Sequence, residues 1–209
     1  MSRPVSGAWT AVVVYRGRGT SKTRLELVAR SALAEAFLLD TLAAVAEAEA
    51  VGAVVLVTSD MTAAERAARE HPGLAVIADP GELNPAVAAG IAGAQDFRPG
   101  SPVIALTADL PALTAADLDA ALAAAGGSPA MVGDRAGSGT TALLLPGGTG
   151  PEPAFGPDSR ARHRSAGYRV LELPETSTLR LDVDTVDDLR DAQAVGVGAW
   201  TTRELPGAA

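Results

Sequence analysis

The most constraining feature of this sequence is a regular alternation of short apolar runs and longer helical patterns through its first two thirds. Four runs have the length of a strand and cover residues 9–15, 51–58, 74–78 and 103–107. Because these runs are continuous rather than alternating, each is typical of a strand that is covered on both faces. Strands separated by helices predict right-handed crossovers and parallel pairing. We therefore expect an α/β chain with a Rossmann-like, three-layer architecture around a mostly parallel central sheet.

Helical patterns occupy the intervals between these runs, and a more irregular segment follows them. Helices are predicted over residues 23–48, 62–70, 84–94, 115–125 and 186–195, and Arg30 marks a candidate break in the first of them. Shorter strands are predicted over residues 130–132, 141–145, 169–173 and 179–183. The length of 209 residues and the lack of a disordered linker favour one domain over residues 1–209. Signals weaken beyond Gly196, so residues 199–209 are expected to be frayed or loosely docked.

The composition limits the chemistry that is available to the chain. There is no cysteine, which excludes disulfides, thiolate metal sites and a cysteine nucleophile. The formal net charge of −8 argues against a basic surface for nucleic acid. No apolar run approaches the length of a membrane span, and the N-terminus shows no signal-like segment, so a cytoplasmic location is expected. Anionic substrates would have to be bound by local positive sites.

The loop after the first predicted strand is a candidate for such a positive site. It has the sequence R-G-R-G-T-S-K-T-R over residues 16–24. Gly17 and Gly19 allow a tight turn, and the N–H groups of a loop next to a helix start form a site for anions. The glycine spacing is not that of a P-loop. Phosphate binding is therefore favoured over the alternative, a solvated connection that carries surface arginines.

Lys22 in this loop stands out within the basic residues of the chain. Of the 17 lysine and arginine residues, 16 are arginine and Lys22 is the single lysine. Lysine is a compact point charge on a flexible stem, whereas arginine is a broad planar fork. Its retention at this place indicates a role that arginine would not fill, although chance is the alternative explanation.

Aspartates follow two of the predicted strands. Asp109 lies just beyond the fourth strand, where the carboxyl ends of parallel strands form a ligand crevice. A carboxylate there suits Mg²⁺, although a turn aspartate that caps its own backbone is an equal alternative. Asp182 and Asp184 are two residues apart at a predicted strand end and are further metal candidates, although Asp184 also suits a turn. Thr185 and Asp188 fit a capping box for the last helix.

Two segments of the second half could bind an acceptor substrate. Residues 137–141, G-S-G-T-T, form a small loop with hydroxyls and free N–H groups. Residues 155–164, F-G-P-D-S-R-A-R-H-R, place three arginines and His163 around a short helix that Asp158 or Ser159 would cap. Arginines near a helix start suit phosphate or carboxylate, although an exposed basic helix is the alternative. A lone histidine such as His163 is more often a surface or packing residue than a catalyst.

Taken together, these stretches resemble a known enzyme family. The stretches that carry the resemblance are V-V-V-Y-R-G-R-G-T-S-K-T-R-L, L-N-P-A, T-A-D-L-P-A-L, D-R-A-G-S-G-T-T-A-L, F-G-P-D-S-R-A-R-H-R and D-V-D-T. They are similar to the phosphoenolpyruvate and 2-phospho-L-lactate guanylyltransferases of deazaflavin coenzyme F(420) biosynthesis. These enzymes share the wider nucleotidyltransferase fold. The resemblance covers about residues 12–198, and the F-G-P-D-S and G-S-G-T-T stretches are its most specific parts.

The resemblance implies a reaction and a set of roles. GMP from GTP would be joined to the phosphate of phosphoenolpyruvate or 2-phospho-L-lactate, with release of pyrophosphate. Asp109 and Asp182 match metal-binding aspartates that would hold Mg²⁺, and both would be catalytic together with Lys22. The remaining matches concern substrates. The nucleotide would be bound by Arg16, Gly17, Lys22 and Asn84, and the acceptor by Thr140, Gly156 and Ser159.

Several points stay open at this level. Arg16 stands where relatives often carry lysine, and Ala108 stands where glycine often precedes the aspartate. Another transferase of the same fold, acting on a sugar phosphate or the molybdenum cofactor, is an alternative, but the longer glycine-rich signature it would need is absent. A non-catalytic nucleotide-binding module is a second alternative. A homodimer, or contact with the next enzyme of the pathway, is the expected kind of protein partner.

Overall fold

The computed structural model describes residues 8–17 and 24–205, and for residues 24–30 it describes the backbone alone. Within these residues, seven strands form one sheet in the order β3-β2-β1-β4-β6-β5-β7. The strands are β1 (Trp9–Val14), β2 (Val51–Val57), β3 (Ala75–Ile77), β4 (Val103–Thr107), β5 (Ala130–Val132), β6 (Ala142–Leu145) and β7 (Arg169–Val170). Of the described strands, β6 alone pairs antiparallel to its neighbours, β4 and β5. The predicted α/β architecture with a mostly parallel sheet is confirmed.

In the described part of the chain, seven α-helices pack around this sheet. They are α1 (Arg24–Glu47), α2 (Met61–Glu70), α3 (Leu83–Phe97), α4 (Ala115–Ala124), α5 (Ser159–Ser165), α6 (Val186–Val195) and α7 (Ala199–Glu204). A short 3₁₀ helix covers Thr178–Arg180. None of the helices in the described part of the chain is long and apolar enough to cross a membrane.

The strand residues explain the layered arrangement. Along β1, Ala11 and Val13 pack with α1 and α4 on one face, while Val12 and Val14 pack with α3 on the other. Both sets are buried, which accounts for the continuous apolar runs in the sequence. Helix α3 lies unusually close to the sheet, because a Cβ added at Gly90 would come within 2.4 Å of Val12 Cγ1.

The topology locates a ligand crevice. The strand order runs outward in one direction from β1 through β2 to β3, and in the other direction from β4, so the order reverses between β1 and β4. Both strands are parallel, with Val14 opposite Thr107 at their carboxyl ends. In open α/β sheets, this switch point is where ligands bind. The residues that follow Val14 and Thr107 are therefore the first to consider for function.

Four local predictions need correction. Helix α1 is continuous through Arg30 rather than broken there. The strand predicted over 179–183 does not form, because the 3₁₀ helix occupies its start and the chain then runs irregularly beside the loop after β4. The strand predicted over 169–173 is limited to Arg169–Val170. Asp158 occupies the cap position of α5 at a φ of 55°, but its side chain makes no capping hydrogen bond.

Within the segment expected to be frayed or loosely docked, the structure describes residues 199–205. Residues 199–204 form helix α7, which packs against α1. The buried carboxylate of Asp40 in α1 accepts hydrogen bonds from the amides of Trp200 and Thr201, at 3.0 and 2.8 Å. Gly198 lies so close to Asp40 that a Cβ there would come within 2.2 Å of Oδ1. A carboxylate at the start of the helix therefore fixes this end of the chain to the body of the protein.

Candidate active site

A cleft of about 610 Å³ lies at the carboxyl ends of β1 and β4. Its walls come from four parts of the chain: the residues after β1, the middle of α1, the loop after β4 and the loop before α6. Its polar lining includes Arg16, Thr107, Asp109, Asp184 and Thr185. This is the crevice that the strand order indicates, and its described lining contains predicted nucleotide-binding and metal-binding residues.

Asp109 enters the cleft directly after β4. Its Oδ1 atom is buried and has no hydrogen-bond partner among the described residues. Burial raises the pKa of Asp109 above its usual range; the nearby Thr107 hydroxyl opposes this effect in part, and the charge of Asp184 adds to it. A buried carboxylate oxygen without a partner is costly, so such an atom needs a cation, a proton or a ligand donor.

The backbone around Asp109 is held by Thr41 from helix α1. The fully buried Thr41 hydroxyl donates to the carbonyl of Ala108 at 3.4 Å and accepts from the amide of Leu110 at 3.3 Å. One hydroxyl therefore bridges the peptide groups on both sides of Asp109. The sequence did not single out Thr41, and no local signal identifies it, because the contact spans two distant segments.

Asp182 and Asp184 reach the same region from the segment before α6. The amide of Val183, which lies between them, donates a 3.0 Å hydrogen bond to the carbonyl of Asp109. Burial raises the pKa of Asp182 to about 7, and the charge of Asp109 adds to this effect. The side chain of Arg180 anchors the segment from the other side by donating to the carbonyl of Asp134 at 3.2 Å. Asp182 is thus near enough to Asp109 and Asp184 for their charges to affect its ionisation.

The donor set suits a magnesium ion that is shared with a substrate. Asp109 Oδ1 has no hydrogen-bond partner among the described residues, and burial together with the charge of Asp109 disfavours ionisation of Asp182 unless a cation is bound. Within residues 8–17 and 24–205, no three acidic or histidine side chains lie close enough to form a metal site alone. Mg²⁺ is commonly held by one or two carboxylates together with waters and substrate phosphates, so these residues fit the ion in that mode. Asp184 is exposed, and its amide donates to Asp188 Oδ2 at 3.2 Å as part of the turn before α6.

The predicted capping box of α6 is confirmed. The Thr185 hydroxyl accepts from the amide of Asp188, and the Asp188 carboxylate accepts from the amide of Thr185. The Thr185 hydroxyl also donates to the Asp188 carboxylate at 2.7 Å, and this bond, together with the bond from the Thr185 amide, lowers the pKa of Asp188 below its usual range. Asp188 is therefore a structural residue of the helix start, which separates it from the candidate metal ligands.

The nucleotide loop is described only at its beginning. Arg16 forms an ion pair with Asp79, with 3.0 Å between Nε and Oδ2, and also donates to the carbonyl of Gly81. Gly17 adopts a left-handed φ of 59°, which suits glycine. Lys22 lies outside the described residues, so its predicted role stays a prediction. Arg16 thus ties the end of β1 to the turn after β3.

A second polar cluster contains two of the three predicted acceptor residues. Thr140 and Ser159 are buried, and the Ser159 hydroxyl donates to Thr140 Oγ1 at 3.1 Å. His163, which is fully buried, places Nδ1 3.0 Å from the same Thr140 oxygen. Its Nε2 accepts from the amide of Ala154 at 2.8 Å. Of the two expected roles for His163, surface or packing, the structure confirms packing, because the side chain is fully buried. Both of its ring nitrogens are also hydrogen-bonded.

Gly156 and Asn84 shape the loop beside this cluster. Gly156 has a φ of 109°, and a Cβ there would lie 3.1 Å from Arg162 Nη2. Asn84, at the start of α3, binds the backbone of Phe155 on both sides: Nδ2 donates to its carbonyl at 3.2 Å and Oδ1 accepts from its amide at 2.7 Å. The contacts of Asn84 are therefore to the predicted acceptor loop, and its nucleotide role stays a prediction. Its neighbour Leu83 lines the cleft, so the two sites adjoin.

Comparison with known proteins identifies the family. No family model matches the chain. The chain is 46% identical to a phosphoenolpyruvate guanylyltransferase of Streptomyces scabiei (strain 87.22), over 92% of this chain and 94% of that protein. It is also 46% identical to a phosphoenolpyruvate guanylyltransferase of Streptomyces coelicolor, over 92% of this chain and 93% of that protein.

Solved structures support the fold. A 4-diphosphocytidyl-2C-methyl-D-erythritol synthase matches with a TM-score of 0.62 at 14% identity, over 91% of this chain and 99% of that one. A nucleotidyl transferase from Methanothermobacter thermautotroptrophicus matches with a TM-score of 0.61 at 18% identity, over 91% and 98%. At such low identity these structures show the fold alone, which is that of the nucleotidyltransferases. The sequence identity over most of both chains shows that the chain belongs to the phosphoenolpyruvate guanylyltransferase family, and the fold agrees with this.

Proposed function

We propose that this protein transfers GMP from GTP to the phosphate of phosphoenolpyruvate and releases pyrophosphate. The observation that carries the proposal is the meeting of Asp109 and Asp182 beside the cleft at the switch point of the sheet. The names of the relatives support the choice of nucleotide and acceptor. The acceptor phosphate oxygen would attack the α-phosphorus of GTP, and the bond from that phosphorus to the pyrophosphate oxygen would break.

The chemistry does not require a general base from the protein. A phosphate monoester has a second pKa of about 6, so the attacking oxygen is largely ionised at neutral pH. Positioning and charge stabilisation are then the main tasks of the enzyme. His163 fits this picture, because burial lowers its pKa to about 4 and both of its nitrogens are engaged. It is the histidine nearest to the predicted acceptor residues, and it is not free to take a proton.

Asp109 and Asp182 are the residues that would hold Mg²⁺. When bound, the ion would neutralise charge on the transferred phosphoryl group and on the departing pyrophosphate. Asp109 is positioned by Thr41 and by the Val183 amide, and Asp182 by its place beside Val183. Asp184 could contribute through a water, since it faces the cleft from an exposed position. A rigid pair of carboxylates supplies a charge site that needs little rearrangement during the reaction.

The substrates would occupy adjoining places. The triphosphate would lie against the loop that starts with Arg16 and Gly17 and continues to Lys22, with the base in the cleft. The acceptor's phosphate and carboxylate would be bound by Thr140, Ser159 and the backbone of Gly156. Leu83 lines the cleft, and its neighbour Asn84 is hydrogen-bonded to Phe155 in the acceptor loop. These contacts support adjoining sites for the two substrates.

Pyrophosphate release from GTP tests the proposal when the acid is varied. The panel would contain phosphoenolpyruvate, 2-phospho-L-lactate and 3-phosphoglycerate, each with Mg²⁺, and pyruvate as the acid that lacks a phosphate. Release with phosphoenolpyruvate and not with pyruvate is the expected result. ATP and CTP in place of GTP would test the base preference. Equal release without any acid would show hydrolysis and would contradict the transfer.

Several finer points remain predictions. They are the use of 2-phospho-L-lactate, a place in deazaflavin coenzyme biosynthesis, a cytoplasmic location, and a homodimer or contact with the next enzyme. The substrate panel decides the first of them. Light scattering of the purified protein would decide the oligomeric state.

A further inference from the structure

We infer that His163 is a positioning residue for the acceptor, and that it acts by making the Thr140 hydroxyl a hydrogen-bond donor. This inference rests on the proposed function, because it assigns Thr140 to the acceptor site. The inference gives a role to a fully buried side chain that does not line the cleft.

The hydrogen bonds around the ring determine which nitrogen carries the proton. His163 Nε2 accepts from the amide of Ala154 at 2.8 Å, so Nε2 holds a lone pair rather than a hydrogen. A neutral imidazole then carries its hydrogen on Nδ1. Nδ1 lies 3.0 Å from Thr140 Oγ1 and therefore donates to it. Burial and the charge of Arg162 lower the pKa of His163 to about 4, which keeps the ring neutral at pH 7.

The ring itself is rigidly held. Phe155 and Tyr168 contact it edge to face, with ring centroids at 5.1 and 5.2 Å. His163 is fully buried, and the Tyr168 hydroxyl is anchored by donating to the carbonyl of Pro151. The imidazole therefore has neither the room nor the free nitrogen to change its tautomer without breaking a buried hydrogen bond.

Thr140 Oγ1 consequently has its acceptor capacity filled. A hydroxyl oxygen has two lone pairs and one hydrogen. His163 Nδ1 and the Ser159 hydroxyl both donate to it, at 3.0 and 3.1 Å. Among the described residues, the Thr140 hydroxyl donates to Met131 Sδ alone, at 3.6 Å, and a thioether is a weak acceptor. The Thr140 hydroxyl can therefore act towards a substrate only as a hydrogen-bond donor. Phosphate and carboxylate oxygens are acceptors, so they require such a donor.

A matched pair of substitutions separates the two bonds of the ring. The side-chain amide of asparagine reaches the place of Nδ1, so His163→Asn keeps a donor to Thr140. The longer glutamine reaches the place of Nε2, so His163→Gln keeps an acceptor for Ala154 and removes the donor. We expect His163→Gln to raise the KM for phosphoenolpyruvate about tenfold to a hundredfold, and His163→Asn about threefold or less. The KM for GTP should stay within about twofold in both.

A double substitution tests whether His163 acts through Thr140. Thr140→Val alone should raise the KM for phosphoenolpyruvate. Adding His163→Gln to Thr140→Val should change that KM by less than about twofold, because the interaction is already absent. Additive effects, or a parallel rise in the KM for GTP, would show that His163 only stabilises the fold and would overturn the inference.

The tautomer can be measured without any variant of His163. The chain has two histidines, His71 and His163, so ¹⁵N-labelled histidine gives two ring systems, and His71→Gln identifies the other. We expect NMR to show a hydrogen on Nδ1 of His163 at pH 7. A hydrogen on Nε2, or an imidazolium ring, would overturn the inference even in an active enzyme.

Addition of phosphoenolpyruvate separates the inference from the proposed function. A shift of the Nδ1 resonance without turnover would contradict the proposed reaction and support the acceptor site. If neither a shift nor turnover is observed, both the inference and the proposed reaction are overturned. The experiments together therefore show which of the two statements fails.

Discussion

The amide of Val183 donates a 3.0 Å hydrogen bond to the carbonyl of Asp109. This bond joins the loop after β4 to the segment before α6, and it places Asp182 near Asp109 although no strand connects them. Burial and the mutual repulsion of these carboxylates raise the pKa of Asp182 to about 7. The protein thus keeps an unfavourable charge arrangement at the switch point of its sheet, as is common where a cation and a phosphate are to be bound.

Removal of either carboxylate should abolish activity without unfolding the chain. Asp109→Asn and Asp182→Asn each remove a charge that would hold Mg²⁺, so pyrophosphate release should fall at least about a hundredfold. The metal-free variants should be at least as stable as the wild type at pH 8, because a buried like-charge repulsion is lost. Asp187→Asn is a suitable control, since Asp187 pairs with Arg190 on the surface. Full activity of Asp109→Asn would contradict the metal assignment.

Magnesium binding should depend on pH through the ionisation of Asp182. The folded-state pKa of about 7 lies above the ordinary value of 3.8. In the metal-free protein, the stability that protonation contributes is complete below the ordinary pKa and is lost as the pH rises through about 7. Mg²⁺ competes with this proton, so its apparent affinity should fall by up to about tenfold per unit as the pH drops below 7. Thermal unfolding with a Mg²⁺ titration at pH 6, 7 and 8 measures this, and Asp182→Asn should flatten the dependence.

Thr41→Val should disturb the position of Asp109. Valine keeps the shape of threonine but leaves the Ala108 carbonyl and the Leu110 amide without their partner, at a cost of about 1–3 kcal/mol in the free energy of unfolding. The concentration of Mg²⁺ needed for half-maximal activity should rise in the same variant. Thr41→Ser, which keeps the hydroxyl, should recover most of both properties. If Thr41→Val and Thr41→Ser need the same concentration of Mg²⁺ for half-maximal activity, Thr41 contributes to packing alone.

Gly90→Ala should destabilise the protein, because helix α3 has no room for a side chain there. The added Cβ would come within 2.4 Å of Val12 Cγ1 and 2.7 Å of Val57 Cγ2. Overpacking of this kind costs about 1–3 kcal/mol, which urea unfolding would measure. Gly127→Ala is the matched control, since a Cβ at Gly127 meets nothing within 4 Å. An equal effect of both substitutions would contradict the close packing of α3 on the sheet.

Lys22 should be needed for the use of GTP. Loss of one charge-stabilising group from a phosphate site commonly costs about a hundredfold to a thousandfold in rate, and we expect Lys22→Met to lower kcat/KM for GTP on that scale. Lys22→Arg should recover only part of the loss, because the planar guanidinium has a different geometry. Arg190→Ala is the control at an exposed position. Unchanged kinetics in Lys22→Met would remove the role that the resemblance implies.

The first two thirds of the fold could be predicted because its strands are buried on both faces. Residues such as Val12 and Val13 point to opposite helical layers, and both layers require apolar side chains. The segment 179–183 misled the prediction, since its alternation of leucine with polar residues is typical of a strand. There Arg180 binds backbone carbonyls, and Val183 makes a single bond to Asp109. Helix α7 was missed because Asp40, distant in sequence, caps it.

The candidate site was predictable where it depends on strand ends. Asp109 follows a buried strand directly, and position alone places it at the crevice. The contacts of Thr41 and His163 could not be inferred from the sequence, because each side chain acts on a partner in another segment. Asn84 was expected near the nucleotide, yet its described hydrogen bonds are to Phe155. Side chains that hold other parts of a site leave no local pattern in the sequence.

The most direct test of the central claim is a ³¹P NMR spectrum of the protein with GTP, Mg²⁺ and phosphoenolpyruvate. The account predicts that the phosphate monoester signal of phosphoenolpyruvate is replaced by two coupled signals of a new phosphorus–oxygen–phosphorus bond. Pyrophosphate should appear in an equal amount, and Asp109→Asn should show neither change. Intact GTP, or pyrophosphate formed while the phosphoenolpyruvate signal persists, would contradict guanylyl transfer.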